Sequence, residues 1–234
     1  MEQTPAYRVK LRNRVGRLIL RTIGRYLLYK PLSRPELKGV ENVPPHSGYI
    51  IAFNHLSIFD PPFLICHWPY PPEWIGAAEV FRERDKKLVA HMYGGIPLDR
   101  DQYDRQAMEK AVHVLKSGFP LMVAPEMRIT RTPGMRQAYT GISYLVERSG
   151  VPVLPVGITG TPSNFLGDVL KLKRPKLGMY IGKLIYLPKL GSDRKADMRR
   201  NTDLVMAHIA ALLPEEYRGY YSNYQSFFEM SGCP

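Results

Sequence analysis

A histidine and an aspartate, His55 and Asp60, are the side chains in this sequence whose chemistry is easiest to interpret. A neutral imidazole can take a proton from an alcohol near pH 7, because its unperturbed pKa is about 6.5. A carboxylate on the other ring nitrogen would fix the tautomer and stabilise the imidazolium that forms. The two residues therefore suggest a general-base pair that acts on a substrate hydroxyl.

The spacing of the pair limits how the two side chains can meet. On one α-helix a five-residue step turns about 140° around the axis, so the side chains would lie on different faces. A turn is needed between them, and Asp60-Pro61-Pro62 offers the residues for one. The same residues allow a purely structural alternative, because aspartate is a good helix N-cap and proline suits the first helical position.

Short apolar runs typical of buried strands alternate along the chain with amphipathic helical patterns. This order predicts an α/β fold with a mixed, partly parallel sheet flanked by helices. Sites in such sheets gather at the carboxyl ends of strands. His55, Arg100 and Glu126 each follow a predicted strand, which favours a site over the structural alternative. The predicted strands are 48–53, 74–78, 96–100, 121–124, 151–158 and 177–187, the predicted interior helices are 61–68, 85–93, 103–116, 138–148 and 196–213, and 31–45 is predicted to be a connector.

The composition is that of a globular protein. The chain has 234 residues, 44% of them hydrophobic, which is enough for one good core. Two cysteines, Cys66 and Cys233, are too few for a disulfide framework and favour a reducing compartment. We expect neither a signal peptide nor a transmembrane helix, because the sequence has no long uncharged apolar run.

The net charge of +12 is concentrated near the N-terminus. Residues 8–30 carry eight lysines and arginines, and no acidic residue lies between Glu2 and Glu36. A helix is predicted over 9–29, with most basic side chains in a sector roughly 80° wide and apolar side chains on much of the other side. The basic set is Lys10, Arg14, Arg17, Arg21 and Arg25, and the apolar set is Leu11, Val15, Leu18, Ile19, Ile23, Tyr26 and Leu27.

This pattern suits a helix that lies in the interface of an anionic membrane. We therefore divide the chain into an interfacial helix, residues 1–30, and a catalytic domain, residues 31–234. The alternative is a helix that docks on its own domain with its basic side in solvent. Nucleic acid is not an expected partner, because aromatic residues do not interleave the basic run and no recognised binding motif is present.

Three further segments carry candidate site residues. Residues 94–100 end in Arg100, which could bind a phosphate with two hydrogen bonds or pair with a neighbouring aspartate. Glu126 could hold a substrate hydroxyl or an arginine, or serve as a helix cap or in a salt bridge. Residues 151–156 are apolar with two prolines, and could line an acyl chain or form an edge strand of the core.

In their order and spacing these segments resemble the sequence blocks of the glycerolipid acyltransferase family, whose best-known members are 1-acylglycerol-3-phosphate acyltransferases. The resemblance extends from Gly39 to about Gly160, roughly half of the chain. Residues 54–60 match the Asn-His-x4-Asp block. The segments that end at Arg100, begin at Pro125-Glu126 and span 151–156 are similar to the second, third and fourth blocks.

The resemblance implies transfer of an acyl group from an acyl-CoA or acyl-carrier-protein thioester to a hydroxyl of a lysophospholipid, most often 1-acylglycerol-3-phosphate. It implies His55 as the base, Asp60 as its orienting partner, and no metal or cofactor. The expected partners are the acyl donor and an anionic membrane surface, with the protein attached peripherally to the cytoplasmic face. The implied substrate-binding residues are Asn54, Arg100, Glu126 and Arg128, and the implied acyl-chain residues are Val153 and Pro155.

The third block departs from the family pattern. The family reads Glu-Gly-Thr-Arg, whereas this chain reads Glu126-Met127-Arg128-Ile129 and continues with Thr130-Arg131. Arg128 or Arg131 could reach the acceptor phosphate by a different path, or the acceptor could carry no phosphate there. Two alternatives stay open: the same chemistry on another acceptor lipid, and a noncatalytic lipid-binding protein at the membrane surface. Pure binding would need no base, which favours an enzyme.

Overall fold

Seven strands form one sheet within residues 7–45, 47–129, 134–161, 165–171 and 173–231, which are the residues that the computed structural model describes. The strand order is β1-β7-β6-β2-β5-β3-β4. Strands β2 to β6 run parallel to one another, β7 is antiparallel to β6, and β1 is parallel to β7. The predicted mixed sheet is therefore confirmed. The strands are β1 (Arg34–Lys38), β2 (Ile50–Phe53), β3 (Glu73–Ala77), β4 (Ile96–Leu98), β5 (Leu121–Val123), β6 (Val153–Thr159) and β7 (Lys176–Ile181).

Helices cover both faces of this sheet. Successive side chains of a strand point to opposite faces, so Ile50 and Ala52 of β2 pack with the central and C-terminal helices α5, α6 and α8, while Ile51 and Phe53 pack with α3 and the N-terminal helices. The helices are α1 (Leu11–Ile23), α2 (Lys30–Leu32), α3 (Asp60–His67), α4 (Lys87–Tyr93), α5 (Arg105–Lys116), α6 (Gly141–Ser149), α7 (Phe165–Leu170), α8 (Arg194–Ala211) and α9 (Tyr224–Ser231), and a π-helical turn (Gly24–Tyr29) joins α1 to α2.

Strand β6 lies inside the sheet, which rules out the alternative of an edge strand for 151–156. Every residue of β6 is buried, as expected for a strand with helices on both sides. Pro155 has no N–H to donate. It lies at a position of β6 where the pairing with the antiparallel strand β7 is interrupted. The β7 ladder ends at Ile181, and the next bridge to β6 is formed by Ile185. The missing donor therefore faces a gap in the ladder.

The prediction of an irregular connector over 31–45 is wrong in part. Residues 34–38 form β1, the edge strand that pairs in parallel with β7. Proline is tolerated on an edge strand because one side of the strand has no partner. Pro35, in an otherwise polar and half-exposed strand, made the segment look like a loop in the sequence.

The N-terminal helix docks on the domain with its polar side. Arg17 is 3% exposed, Gly16 packs against the backbone of Met92, and Asn13 donates to the carbonyl of His91. Arg21 donates to the carbonyls of Ile65 and Trp68. The expected lipid-facing basic side is therefore corrected at two positions, because Arg17 and Arg21 contact protein.

The apolar side of the same helix faces away from the domain. Its residues are between 42% and 75% exposed, namely Leu11, Val15, Leu18, Ile19, Ile23, Tyr26 and Leu27. The alternative of a docked helix with a solvated basic side is thus right about docking and right in part about the basic side, but it did not expect the apolar side to be exposed as well. Lys10, Arg14 and Arg25 remain exposed. Among the described residues, no helix has the length and apolar character needed to cross a bilayer.

One buried ion pair fixes this orientation. The guanidinium of Arg17 contacts both carboxylate oxygens of Glu73, the first residue of β3, and its Nη2 lies 2.7 Å from Oε2. Its Nε donates to the carbonyl of Tyr93 at 2.8 Å, and the hydroxyl of Tyr7 donates to Glu73 at 2.9 Å. Removing one partner of a fully buried pair leaves an uncompensated charge. The pair therefore ties α1 to the sheet.

We predict that Arg17→Met destabilises the protein by about 3–5 kcal/mol, because Glu73 then stays buried without its cation. Arg14→Met is the matched control, since Arg14 is exposed on the same helix. Its effect should stay within about 0.5 kcal/mol. Urea unfolding of the variants measures both changes, and similar losses for the two arginines would contradict this account of the helix.

Candidate active site

The carboxyl ends of the parallel strands bring together the residues singled out in the sequence. Five strands point the same way, so the segments that follow them meet at one edge of the sheet. The residues at this edge are Asn54 and His55 after β2, Glu79 after β3, Arg100 after β4, Glu126 after β5 and Thr161 after β6.

The imidazole of His55 contacts the carboxylate of Asp60, with 2.9 Å between Nδ1 and Oδ2. Asp60 is fully buried, and Oδ2 also accepts from the backbone N–H groups of Leu56 at 2.6 Å and Ser57 at 2.7 Å. The turn that the five-residue spacing required is therefore present. Asp60 is the first residue of α3 and directs its carboxylate back into this turn, so it does not act as the N-cap.

This contact determines the tautomer of His55. A carboxylate only accepts hydrogen bonds, so Nδ1 carries the proton and Nε2 keeps its lone pair. The side chain of His55 is 16% exposed. The second oxygen of Asp60, Oδ1, accepts from the hydroxyl of Thr161. The arrangement can therefore accept a proton at Nε2 while Asp60 stays fixed on both sides.

Asn54 has a structural position, and its predicted role in substrate binding stays a prediction. Its side chain is fully buried, its Nδ2 donates to the carbonyl of Ile158, and its Oδ1 accepts from the N–H of the same residue. These two bonds extend the pairing of β2 with β6 by one step. Asn54 therefore fixes the start of the His55 turn, and its amide faces β6.

Glu126 braces the main chain of the site. It is 2% exposed, and its Oε1 accepts from the N–H of His55 at 3.0 Å. Its Oε2 accepts from the N–H of Arg136 at 2.7 Å. The carboxylate therefore joins the turn after β2 to the segment before α6, and its predicted contact with the acceptor stays a prediction.

Arg100 is held by two different groups. Its Nη1 donates to the carbonyl of Met127 at 3.0 Å, and its Nη2 lies 3.1 Å from Oε1 of Glu79. Arg128 is exposed and lies 3.3 Å from Asp101. Arg131, the other arginine considered for the acceptor phosphate, lies outside the described residues. Of these two arginines, Arg100 is fixed at the carboxyl edge of the sheet, and Arg128 is an exposed surface side chain.

Met127, which stands where the family pattern has glycine, has an unusual backbone conformation. Its φ is +58°, in the left-handed region that disfavours side chains other than glycine. A non-glycine residue there costs of the order of 1–3 kcal/mol. The chain adopts this backbone conformation without glycine, and the carbonyl of Met127 accepts from Nη1 of Arg100.

The two predicted acyl-chain residues lie in the core beneath the site. Val153 is fully buried in the cluster formed with α5, α6 and α8, and it pairs with Ile50 at the start of β2. Pro155 pairs with Ala52 and is also buried. Neither is at the carboxyl edge, so the structure gives their predicted role no support.

Sequence reasoning missed Thr161 and Glu79. Both residues follow strands whose carboxyl ends lie at the site. Their place shortly after a predicted strand was the signal in the sequence that could have identified them. Their partners, Asp60 and Arg100, are distant in the sequence. No cluster of three or more histidine, cysteine, aspartate or glutamate side chains suited to a metal occurs in the described part of the chain.

The sequence is similar to known acyltransferases. Residues 34–159, more than half of the chain, match the model of a family described as Acyltransferase. This range contains His55, Asp60, Arg100 and Glu126.

A curated 1-acyl-sn-glycerol-3-phosphate acyltransferase of Borreliella burgdorferi is 24% identical over 162 residues, which are 68% of this chain. The match spans 65% of the length of that relative. The crystal structure of the 1-acyl-sn-glycerophosphate (LPA) acyltransferase PlsC of Thermotoga maritima is similar with a TM-score of 0.61 and 20% identity, covering 82% of this chain and 79% of that one. At this identity the similarity concerns the fold.

We predict that Thr161→Val lowers the turnover number of any reaction that uses His55 as base by about tenfold, because one oxygen of the buried Asp60 loses its donor. Thr161→Ser keeps the hydroxyl and should restore most of the rate. Steady-state kinetics should place the loss in kcat, with KM little changed. A serine variant as slow as the valine variant would contradict this account, because restoring the hydroxyl would then fail to restore the rate.

Proposed function

Since the chain belongs to the acyltransferase family, we propose that it moves a fatty acyl group from a thioester to a hydroxyl of a lysophospholipid. The favoured acceptor is 1-acylglycerol-3-phosphate, which would give phosphatidic acid. The observation that carries this proposal is the 2.9 Å contact between Nδ1 of His55 and Asp60. This contact leaves the lone pair of Nε2 available at the carboxyl edge of the sheet, where Arg100 also lies. The name of the relative from Borreliella burgdorferi supports the same acceptor.

The chemistry follows from the tautomer of His55. The acceptor hydroxyl gives its proton to Nε2 as its oxygen attacks the thioester carbonyl carbon. The carbon–sulfur bond then breaks, and the leaving thiolate takes the proton back from the imidazolium. Asp60 stabilises the cation in between. General-base assistance of this kind contributes about 10²–10⁴ in rate, and no nucleophile on the protein is needed.

Arg100 is the proposed binding group for the acceptor phosphate. A guanidinium can offer two parallel N–H groups to phosphate oxygens. Arg128 lies 3.3 Å from Asp101, the residue after Arg100, and could add charge from the surface. The donor would be an acyl-CoA or an acyl-carrier protein, and no metal or cofactor enters the proposed reaction.

The first experiment is to measure thiol release from a long-chain acyl-CoA with and without lysophosphatidate. We expect release that requires the acceptor and falls by about 10²–10⁴ in His55→Ala. His91→Ala is the matched control, because His91 is an exposed histidine on α4. Full activity of His55→Ala would overturn the proposed base.

Two further arms separate the alternatives. A lysolipid without phosphate tests the alternative acceptor, since faster transfer to it would remove the role proposed for Arg100. If acyl-CoA gives no release, the assay is repeated with an acyl-carrier-protein thioester. Silence with both donors, together with intact binding to lipid vesicles, would favour the noncatalytic lipid-binding protein.

We also propose that the protein attaches peripherally to the cytoplasmic face of a membrane through 8–30. The apolar side of α1 is exposed, and the helical segment leads to the site: the hydroxyl of Tyr29 donates to the carbonyl of Phe59 at 3.2 Å. Ile58, in the same turn as His55 and Asp60, is 53% exposed. This geometry supports a contact in which lipid covers the exposed face of the helix and extends to Ile58 in the turn that carries His55.

The double variant Leu18→Gln/Leu27→Gln tests this attachment. Both leucines are exposed, at 68% and 69%, so helix docking through Arg17 stays intact. Burial of one leucine is worth about 1.5–3 kcal/mol, so each loss should lower the vesicle partition coefficient about tenfold or more. Leu170→Gln, at an 84% exposed leucine, is the control. Co-sedimentation with phosphatidylcholine–phosphatidylglycerol vesicles measures the change, and wild-type binding of the double variant would contradict the proposal.

A further inference from the structure

Glu79 is the carboxylate next to the arginine that is proposed to bind the acceptor phosphate. It follows β3 in a 3₁₀ turn, Ala78–Phe81, at the strand edge that carries His55. Its Oε1 lies 3.1 Å from Nη2 of Arg100. The side chain of Glu79 is 45% exposed and that of Arg100 is 27% exposed, so solvent reaches the outer part of the pair, while Nε of Arg100 and Oε2 of Glu79 lie on its covered side.

The hydrogen bonds of Arg100 leave one edge of its guanidinium incompletely used. Nη1 is occupied by the carbonyl of Met127, and Nη2 by Glu79. Nε of Arg100 and Oε2 of Glu79 are buried and have no hydrogen-bond partner among the described residues. Nε and Nη2 form the side-on edge with which arginine binds a phosphate through two parallel bonds. Glu79 therefore occupies half of the edge that a phosphate would need.

The contact between Glu79 and Arg100 is easy to break. It consists of one hydrogen bond between partly exposed side chains, and such pairs contribute little to stability. Hydrogen bonds to the carboxylate from the backbone N–H of Glu79 itself and from Arg100 lower the pKa of Glu79, so the side chain is an anion throughout the neutral range. A phosphate that engages both Nε and Nη2 would satisfy the unpaired donor and make the stronger contact.

We propose that Glu79 is a displaceable carboxylate that holds Arg100 in place when the site is empty and competes with the acceptor's phosphate for it. The inference rests on the proposed function, in which Arg100 receives that phosphate. Glu79 thereby sets the acceptor affinity and selects against acceptors too weakly charged to displace it.

Glu79→Gln tests this role, because glutamine keeps the shape and loses the charge. We expect the KM for lysophosphatidate to fall about three- to tenfold, with kcat within about twofold and the KM of the acyl donor unchanged. Glu83→Gln is the matched control, since Glu83 is 44% exposed in the same segment and pairs with Lys86. In an Arg100→Gln background, which itself should raise the acceptor KM, the effect of Glu79→Gln should disappear.

A rise of the acceptor KM in Glu79→Gln would overturn the proposal, because Glu79 would then only position Arg100. An unchanged KM, or the same change in Glu83→Gln, would overturn it as well. Titration of each protein with sn-glycerol 3-phosphate supplies a readout that needs no activity. Tighter binding by Glu79→Gln in a protein that fails every transfer assay would keep this inference and reject the proposed function, whereas equal binding would reject the inference.

Discussion

The buried carboxylate of Asp60 is the group on which the geometry of the site depends. It accepts from the ring of His55, from two backbone N–H groups in the preceding turn, and from the hydroxyl of Thr161. A charge that is fully removed from water is strongly unfavourable without such donors. Burial of this carboxylate therefore requires both the closed turn after β2 and the contact with the end of β6. The contacts that make this burial tolerable are the same contacts that orient the imidazole, so the stability of the turn and the direction of Nε2 are set together.

Glu126 extends this arrangement to the main chain and connects it with the C-terminal segment. It joins the N–H groups of His55 and Arg136. Met135, the residue before Arg136, exchanges main-chain hydrogen bonds with Tyr217 and Tyr220 of the tyrosine- and phenylalanine-rich tail, residues 217–228. The buried hydroxyl of Tyr221 in this tail accepts from the N–H of Ala138. The tail, for which the sequence suggested no role, thus supports the segment before α6 whose N–H group at Arg136 bonds to Glu126. The site is held from the sheet below and from the C-terminal segment beside it.

Local patterns predicted most of the fold, since alternating apolar runs and helical periodicity depend on near neighbours. They also predicted the meeting of His55 and Asp60, because a turn could be inferred from the two prolines after Asp60. Contacts between distant segments were not predictable in this way. Thr161 bonds to a residue 101 positions earlier, and Asn54 to one 104 positions later. The edge strand β1 was missed because its half-exposed polar pattern resembles a loop.

The N-terminal helix shows how one distant contact can reverse the interpretation of a local pattern. A helical wheel separates a basic side from an apolar side but does not say which side packs. Glu73, 56 residues after Arg17, decides it. Because a buried carboxylate needs its cation, the polar side must turn inward, and the apolar side is then left exposed. A continuous exposed apolar face is unusual on a soluble monomer and is typical of a surface that meets lipid or protein. The buried ion pair of Arg17 and Glu73 therefore determines that the apolar face of α1 is the one exposed on the surface of the domain.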